Sequence, residues 1–194
     1  HMLMDTHIRH VCKSIYRQIH NITQIRCYLT SAALKAIVQA CVTSRLDYSN
    51  AVLYGLPAST LSQLQKAQNA AARLITMTRK SDHISPILMD LRWLPVQFCI
   101  HFKILVLTYK ALNNEAPTYL CEMVSHYVPN RPLRSASPSQ LNPPLTFLKS
   151  WGDRSFQNAS AVLWNQLPLD IRNSPSLTAF KNRAKTHLFD LAFS

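Results

Sequence analysis

The chain has 194 residues, and 47% of them are hydrophobic, which is enough for a core and excludes a chain disordered throughout. Lys and Arg number 21 against 9 Asp and Glu, so the net charge of +12 favours a polyanionic partner. Only 2 glycines argue against a hairpin-rich sheet and against a glycine-rich phosphate loop. No apolar run reaches the roughly 18 to 20 residues that span a bilayer, so we expect no membrane partner.

The first predicted helix runs from Asp5 to Ile25 and has one apolar and one basic side. Its apolar stripe consists of Ile8, Val11, Cys12, Ile15, Ile19 and Ile22. The cations opposite are Arg9, Lys13 and Arg17. Thr30 is the predicted N-cap of a second helix. No carboxylate occurs from Thr6 to Leu46. A charged helix side is usually only solvated, but the acid-free stretches around this one favour contact with phosphate.

A long central helix is predicted from Leu61 to Asp82, capped by Ser59 or Thr60. Its predicted buried residues are Leu61, Leu64, Ala67, Ala71, Leu74, Ile75 and Thr78. Opposite them, at seven-residue spacing, stand Lys66, Arg73 and Lys80. That spacing drifts by about 20° per step and rises by roughly 10 Å, so the three cations form one stripe. Arg79 and His83, at the predicted helix exit, are further candidate contacts.

The second half of the chain continues as predicted helices interrupted by one long loop. Ser85 and Pro86 are the predicted N-cap and first position of a short helix. The segment 96–113 is apolar nearly all round and predicts a buried helix, and a short helix from Pro117 to about Ser125 follows. Residues 127–148 are rich in Pro, Ser and Asn and predict a loop with an extended piece at 145–148. Arg131 and Arg134 lie in it. The last two predicted helices are Asp153 to Leu167 and one capped by Ser176.

No constellation in the sequence predicts an active site. Paired aspartates for two-metal chemistry are absent, and the histidines show no HxxxH spacing. Asp82 beside His83 is the most suggestive acid–histidine pair, but a turn or cap role for Asp82 is favoured. The five cysteines are odd in number and form no CxxC pair, which favours free thiols in a reducing, intracellular compartment. For Cys27, Cys41 and Cys99, burial is favoured over a nucleophilic role.

The three tryptophans have two possible roles, core packing and base stacking. Packing is favoured for Trp93, Trp151 and Trp164, most clearly for Trp164. Trp151 stands near Lys149 and Arg154 after the long loop, so it is the best stacking candidate.

Four sequence segments, which follow one another along the chain, support an interpretation more specific than a basic helical protein. They are SRLDYSNAVLYGLP, LQKAQNAAARLITMTRKSDHISPIL, LRWLPV with FKILVLTYKALNNEAPTYL, and WGDRSF with LWNQLPLDIR and FKNRAKTHLF. Together they resemble the C-terminal part of the reverse transcriptase polyprotein of non-LTR (LINE-type) retrotransposons of chicken-repeat-like clades. The resemblance covers about Leu3 to Phe189. Two features depart from it: Ser49 stands where relatives usually have Cys, and no CCHC zinc knuckle occurs.

The resemblance implies a thumb at residues 3–80 and a helical C-terminal RNA-binding domain at 81–194, with the loop at 127–148. It implies that the full protein is an RNA-directed DNA polymerase and endonuclease that performs target-primed reverse transcription with Mg²⁺. The catalytic aspartates would lie upstream, so we expect this fragment to be non-enzymatic and to need no cofactor. His1-Met2 resembles a cloning remnant, which fits a fragment.

The expected fold is therefore mainly α, a helical thumb bundle followed by a second helical domain. The expected partners are RNA/DNA duplex and the 3′ stem-loop of the element RNA, with target DNA a further candidate. We expect a monomer, nuclear at the integration site and cytoplasmic with the element RNA. The alternative is a host-adopted protein-interaction scaffold without nucleic-acid function. A nuclease is the third hypothesis, and the scattered carboxylates argue against it.

Overall fold

The computed structural model describes residues 2–127, 139–145 and 152–194, and these are mainly α-helical, which confirms the predicted fold class. The helices are α1 Met2–Ile25, α2 Ser31–Val38, α3 Ser44–Asp47, α4 Ala58–Thr76, α5 Ile84–Asp90, α6 Val96–Leu112, α7 Thr118–Glu122, α8 Phe156–Gln166, α9 Leu169–Arg172 and α10 Leu177–Phe193. A π-helical turn, Gln39–Thr43, joins α2 to α3. Short 3-10 turns occupy Arg26–Tyr28 and Asn50–Leu53. No strand forms within the described ranges, where His126 and Leu141 make one isolated antiparallel bridge.

The chain divides into two compact units, residues 1–99 with 192–194 and residues 100–191. Residues 81–99 belong to the first unit because they pack on α4. The side-chain amide of Gln68 donates to the carbonyl of Leu94 at 2.8 Å, and Ile87 and Leu88 pack against Ala72. The boundary between the two packed units therefore lies later in the chain than the domain boundary expected at residues 80/81. The expected division into a thumb and a C-terminal domain stays a prediction.

In the first unit, α1 packs most extensively on α4. Ile8 and Ile15 of the predicted apolar stripe of α1 are fully buried. α4 carries fully buried alanines, Ala67 and Ala71, and small side chains of this kind permit close approach of a neighbouring helix. Thr60 Oγ1 adds a 3.2 Å hydrogen bond to Asp5 Oδ1. The prediction is confirmed for Ile8, Cys12, Ile15 and Ile22 of α1 and for Leu64, Ala67, Ala71, Leu74 and Ile75 of α4, which are buried. Val11, Ile19 and Leu61 are only half-buried, and the burial predicted for Thr78 on this helix is wrong because α4 ends at Thr76.

The start of α2 and its continuation follow from local sequence. Thr30 Oγ1 accepts a hydrogen bond from the N–H of Ala33 at 3.2 Å, so the predicted cap is confirmed. The helix then widens into the π turn at Gln39–Thr43 before α3. Val38, Val42 and Leu46 remain buried along this path, so the π turn keeps one apolar side facing the core.

The central helix differs from its prediction at both ends. α4 begins after Pro57, so Ser59 and Thr60 lie inside its first turn and the predicted caps are wrong. It ends at Thr76 rather than Asp82. Met77 takes a left-handed conformation with φ 61°, and its N–H closes on the carbonyl of Arg73 at 2.9 Å. The Thr, Ser and Asp residues that follow offer the backbone hydrogen bonds that compete with a helix.

The start of α5 is also displaced from its prediction. Its N-cap is His83, so Ser85 and Pro86 both lie within the first turn and the predicted cap at Ser85 is wrong. The first-turn N–H groups of a helix have no intrahelical acceptor, so proline is tolerated at any of these positions.

The second unit has Phe180 of α10 at its centre, fully buried. The Phe180 ring stacks on Tyr109 of α6 with centroids 4.5 Å apart, and on Trp164 of α8 at 5.6 Å. Ser176 Oγ accepts from the N–H of Ala179 at 3.2 Å, which confirms the predicted cap of α10. The short α9, after Pro168, was not predicted.

The region between α7 and α8 is described only in part. α7 ends at Glu122, before the predicted end at Ser125, and residues 139–145 are non-helical as predicted. The Asn165 amide holds Leu141 there, accepting from its N–H and donating to its carbonyl, both at 2.9 Å. The extended piece predicted at 145–148 falls almost wholly outside the described residues. No helix in the described parts of the chain is long and apolar enough to cross a membrane.

Candidate nucleic-acid interface

Three exposed cations line the outer side of α1, and we call Arg9, Lys13 and Arg17 the α1 cationic face. Each follows the last by four residues, so each step rises by about 6 Å and turns by about 40° around the helix. Among the described residues, none of the three makes a hydrogen bond or an ion pair. Their charges are therefore available to a partner.

Within the part of the chain that the structure describes, one of the two α4 cations has no partner and the other makes two hydrogen bonds. Lys66 is exposed, opposite the buried alanines, as predicted. Arg73 is half-buried, and its guanidinium donates from Nε to the carbonyl of Arg79 at 3.2 Å and from Nη2 to the carbonyl of Asp82 at 2.9 Å. Arg73 thus holds the loop that follows α4, a role that periodicity did not reveal.

The loop after α4, residues 77–83, presents the remaining cations of this region. Arg79, Lys80 and His83 are exposed on it. Because α4 ends at Thr76, Lys80 is not on the helix, and the predicted three-member helical stripe is wrong in its last member. The loop is built by its own hydrogen bonds: the N–H of Arg79 donates to Asp82 Oδ2 at 2.8 Å. The turn role predicted for Asp82 is confirmed.

Most of the downstream candidates fall outside the described residues: Arg131, Arg134, Lys149 and Trp151. Arg154 is described and is half-buried just before α8. Trp164 is buried and donates from Nε1 to the carbonyl of Ser139 at 2.8 Å. Trp93 packs on the cluster of Ala72, Ile87 and Leu88. The packing predicted for Trp93 and Trp164 is confirmed.

A groove of about 490 Å³ opens beside the α1 cationic face, and the sequence did not reveal it. Its lining residues are His10, Val11, Ser14 and Gln18 of α1, Ala40 and Cys41 of the π turn, and Ser44, Arg45 and Tyr48 around α3. Arg45 Nη1 donates to Ser14 Oγ, linking α3 to α1. The Tyr48 ring is 76% exposed. No carboxylate is among the described residues that line the groove.

Groups that support chemistry are sparse in the described residues. Those residues contain no cluster of three or more His, Cys, Asp or Glu that would hold a metal ion. Cys12 is buried, and this burial raises the pKa of its thiol. Cys27 is exposed, so the predicted burial is wrong there, because Cys27 lies in the 3-10 turn Arg26–Tyr28, none of whose residues is buried. Cys41 and Cys99 are half-buried.

Comparison of the chain with protein families, with curated proteins and with solved structures finds no match in any of the three.

Proposed function

We propose that the chain is a non-catalytic nucleic-acid-binding part of a non-LTR retrotransposon reverse transcriptase. In this proposal it grips the duplex of template RNA and primer, and the 3′ stem-loop of the element RNA, during target-primed reverse transcription. The observation that carries the proposal is the α1 cationic face: three exposed cations, none paired with another described residue, in a stretch with no carboxylate from Thr6 to Leu46. The sequence resemblance supplies the biological setting.

The geometry of the α1 cationic face suits a phosphate backbone. Arg9, Lys13 and Arg17 span about 12 Å along the helix, with a cation at each 6 Å step. An A-like duplex offers regularly spaced phosphates across a wide, shallow minor groove, and shape and backbone contacts dominate its recognition. Arg9 and Arg17 can each hold a phosphate with two parallel N–H donors, whereas Lys13 acts as a point charge.

Lys66 and the loop after α4 offer a second group of cations. Lys66, Arg79 and Lys80 are exposed, and Arg73 holds the loop by its two carbonyl contacts. Arg73 is therefore a positioning residue in this proposal, and the loop cations make the contacts. A charge-reversal test on this region has to spare Arg73, since its loss would disturb the loop as well as the charge.

The test compares two triple variants that change net charge equally. One is Arg9→Glu, Lys13→Glu and Arg17→Glu. The control is Lys103→Glu, Lys181→Glu and Lys185→Glu, all exposed residues of the second unit. Binding is measured by gel shift on an RNA/DNA primer duplex, with the helical content of each variant checked by circular dichroism. An exposed charge pair contributes up to about 1 kcal/mol, and reversal also adds repulsion, so we expect about 100-fold weaker binding for the first variant alone.

Two results would contradict the proposal. Equal losses in both variants would mean that net charge, and not the α1 cationic face, carries the binding. A wild-type chain that binds neither the primer duplex nor structured RNA would remove the nucleic-acid role and favour the protein-interaction scaffold.

A further inference from the structure

The groove beside α1 lies where a base would be directed if a strand tracked along the α1 cationic face. His10, Ser14 and Gln18 each follow one of the three face cations by one residue, so they are turned by about 100° around the same helix. On a helix about 10 to 12 Å across, that rotation displaces a side chain by about 8 Å. One nucleotide bridges such a distance, with its phosphate on the cations and its base in the groove.

The size and lining of the groove fit a single base. Its volume of about 490 Å³ lies within the range of small-ligand sites, roughly 300 to 1,000 Å³. Val11, Ala40 and Cys41 supply apolar walls, and Gln18 offers an amide that can both donate and accept hydrogen bonds. Apolar walls with a few polar groups are the usual lining of small-molecule sites, and a flat heteroaromatic ring can use both.

Tyr48 and Arg45 provide the features that favour a nucleotide over an apolar ligand. The Tyr48 ring is 76% exposed at the end of α3, and aromatic side chains stack on bases of any sequence. Arg45 lines the same groove, and after its bond to Ser14 its guanidinium has further N–H donors. No described lining residue carries a carboxylate, so the Arg45 charge is left for an anionic ligand.

The backbone around the groove is itself unusual. Ala40 and Cys41 belong to the π turn, a rare geometry that is frequent at functional sites. At the exit of this turn, Ser44 Oγ donates to the carbonyl of Ala40, a side-chain bond of the kind that bends helices. The π turn therefore places two small residues, Ala40 and Cys41, at the groove wall.

We infer that the groove binds one unpaired base of a strand whose phosphates lie on the α1 cationic face, with Tyr48 stacking on that base. The inference rests on the proposed function and deepens it, because it makes this part of the chain a reader of single-stranded extensions next to a duplex. A fully paired duplex has no base free to enter, so only the phosphate contacts would remain for it.

The test uses two RNA probes, a blunt duplex and the same duplex with a single-stranded 3′ extension that contains 5-iodouridine. The iodinated base crosslinks under ultraviolet light to an aromatic ring stacked on it. We expect the crosslink at Tyr48. Tyr48→Ala is expected to weaken binding of the extended probe by about 5- to 150-fold, the range for loss of one base–aromatic stack. It is expected to leave the blunt duplex unaffected, and Tyr48→Phe is expected to retain wild-type binding.

Tyr28→Ala is the matched control, because Tyr28 is 86% exposed but does not line the groove. We expect this variant to bind both probes like the wild type. A crosslink at Tyr28 in place of Tyr48, or equal effects of Tyr48→Ala on both probes, overturns the inference. If Tyr48→Ala has no effect while reversal of the α1 cationic face still abolishes binding, the groove inference fails and the proposed function stands. If the wild type binds neither probe, both fail.

Discussion

Replacement of Arg73 distinguishes a clamp on the loop after α4 from a direct phosphate contact. Its guanidinium makes two hydrogen bonds, to the carbonyls of Arg79 and Asp82. A hydrogen bond from a charged donor contributes about 1.5 to 3 kcal/mol when buried, and the half-buried position of Arg73 reduces this. We therefore expect Arg73→Ala to destabilise the closed loop by about 1 to 3 kcal/mol.

Hydrogen exchange measures this change directly. The amides of Arg79 and Asp82 are both bonded within the loop, to Asp82 Oδ2 and to the Arg79 carbonyl. A loss of about 1 to 3 kcal/mol in local opening corresponds to exchange faster by about 5- to 150-fold at these two amides. The global unfolding midpoint is expected to move little, because the core of α4 is untouched.

Arg73→Lys is the decisive control. It keeps the positive charge but cannot direct two planar N–H donors to the two carbonyls. If Arg73 is a clamp, Lys behaves like Ala in exchange at Arg79 and Asp82. If exchange is unchanged in both variants while Arg73→Ala alone loses RNA binding, Arg73 contacts phosphate and the clamp interpretation is refuted.

Two further expectations concern the second unit. Phe180→Ala removes a fully buried ring that stacks on Tyr109 and Trp164. Denaturant unfolding is therefore expected to show a loss of about 3 to 5 kcal/mol in the free energy of unfolding. A loss below about 1 kcal/mol would contradict the placement of Phe180 at the centre of that core. Burial lowers the pKa of His101 from its ordinary 6.5, so the unfolded chain binds the proton more readily and stability falls as the pH drops below 6.5 toward the folded-state pKa. Thermal unfolding of His101→Gln at several pH values is expected to show a shallower acid dependence than the wild type; identical pH profiles would contradict this.

Local signals in the sequence were sufficient for much of the fold. The stripe of Ile8, Cys12 and Ile15 identified α1, and the nearly continuous apolar run of α6 identified a buried helix. Thr30 and Ser176 were predicted as caps because a hydroxyl just before an apolar periodic segment is a local motif. Each of these features depends on residues within about one helical turn of one another.

The end of α4 was not predictable in the same way. Seven-residue spacing continued through Lys80, yet the chain reverses at Met77, where a non-glycine residue takes φ 61°. Arg73 and Asp82 stabilise that reversal together, from positions outside a single helical turn. Periodicity treats every residue as if the helix continued, so it placed Arg73 in solvent rather than under a loop.

The groove was even harder to predict from the sequence, because its walls are formed by residues that are distant from one another in the sequence. Ser14 and Arg45 meet only after α1 and α3 have packed, and the π turn between α2 and α3 has no strong sequence signal. Arg45 lies in α3, and Tyr48, three residues later, is the extended residue that caps the end of that helix. That spacing was the one local sign of the groove, and it is common in surface helices of any function.

The salt dependence of RNA binding tests the central claim most directly. Each phosphate that the protein neutralises contributes about −0.7 to −0.9 to the slope of log affinity against log salt. We predict that the slope for the triple variant Arg9→Glu, Lys13→Glu and Arg17→Glu is shallower than the wild-type slope by about 2 to 3. That difference corresponds to three lost phosphate contacts. Equal slopes for the two proteins, or a flat response in the wild type, would contradict a phosphate-binding role for α1.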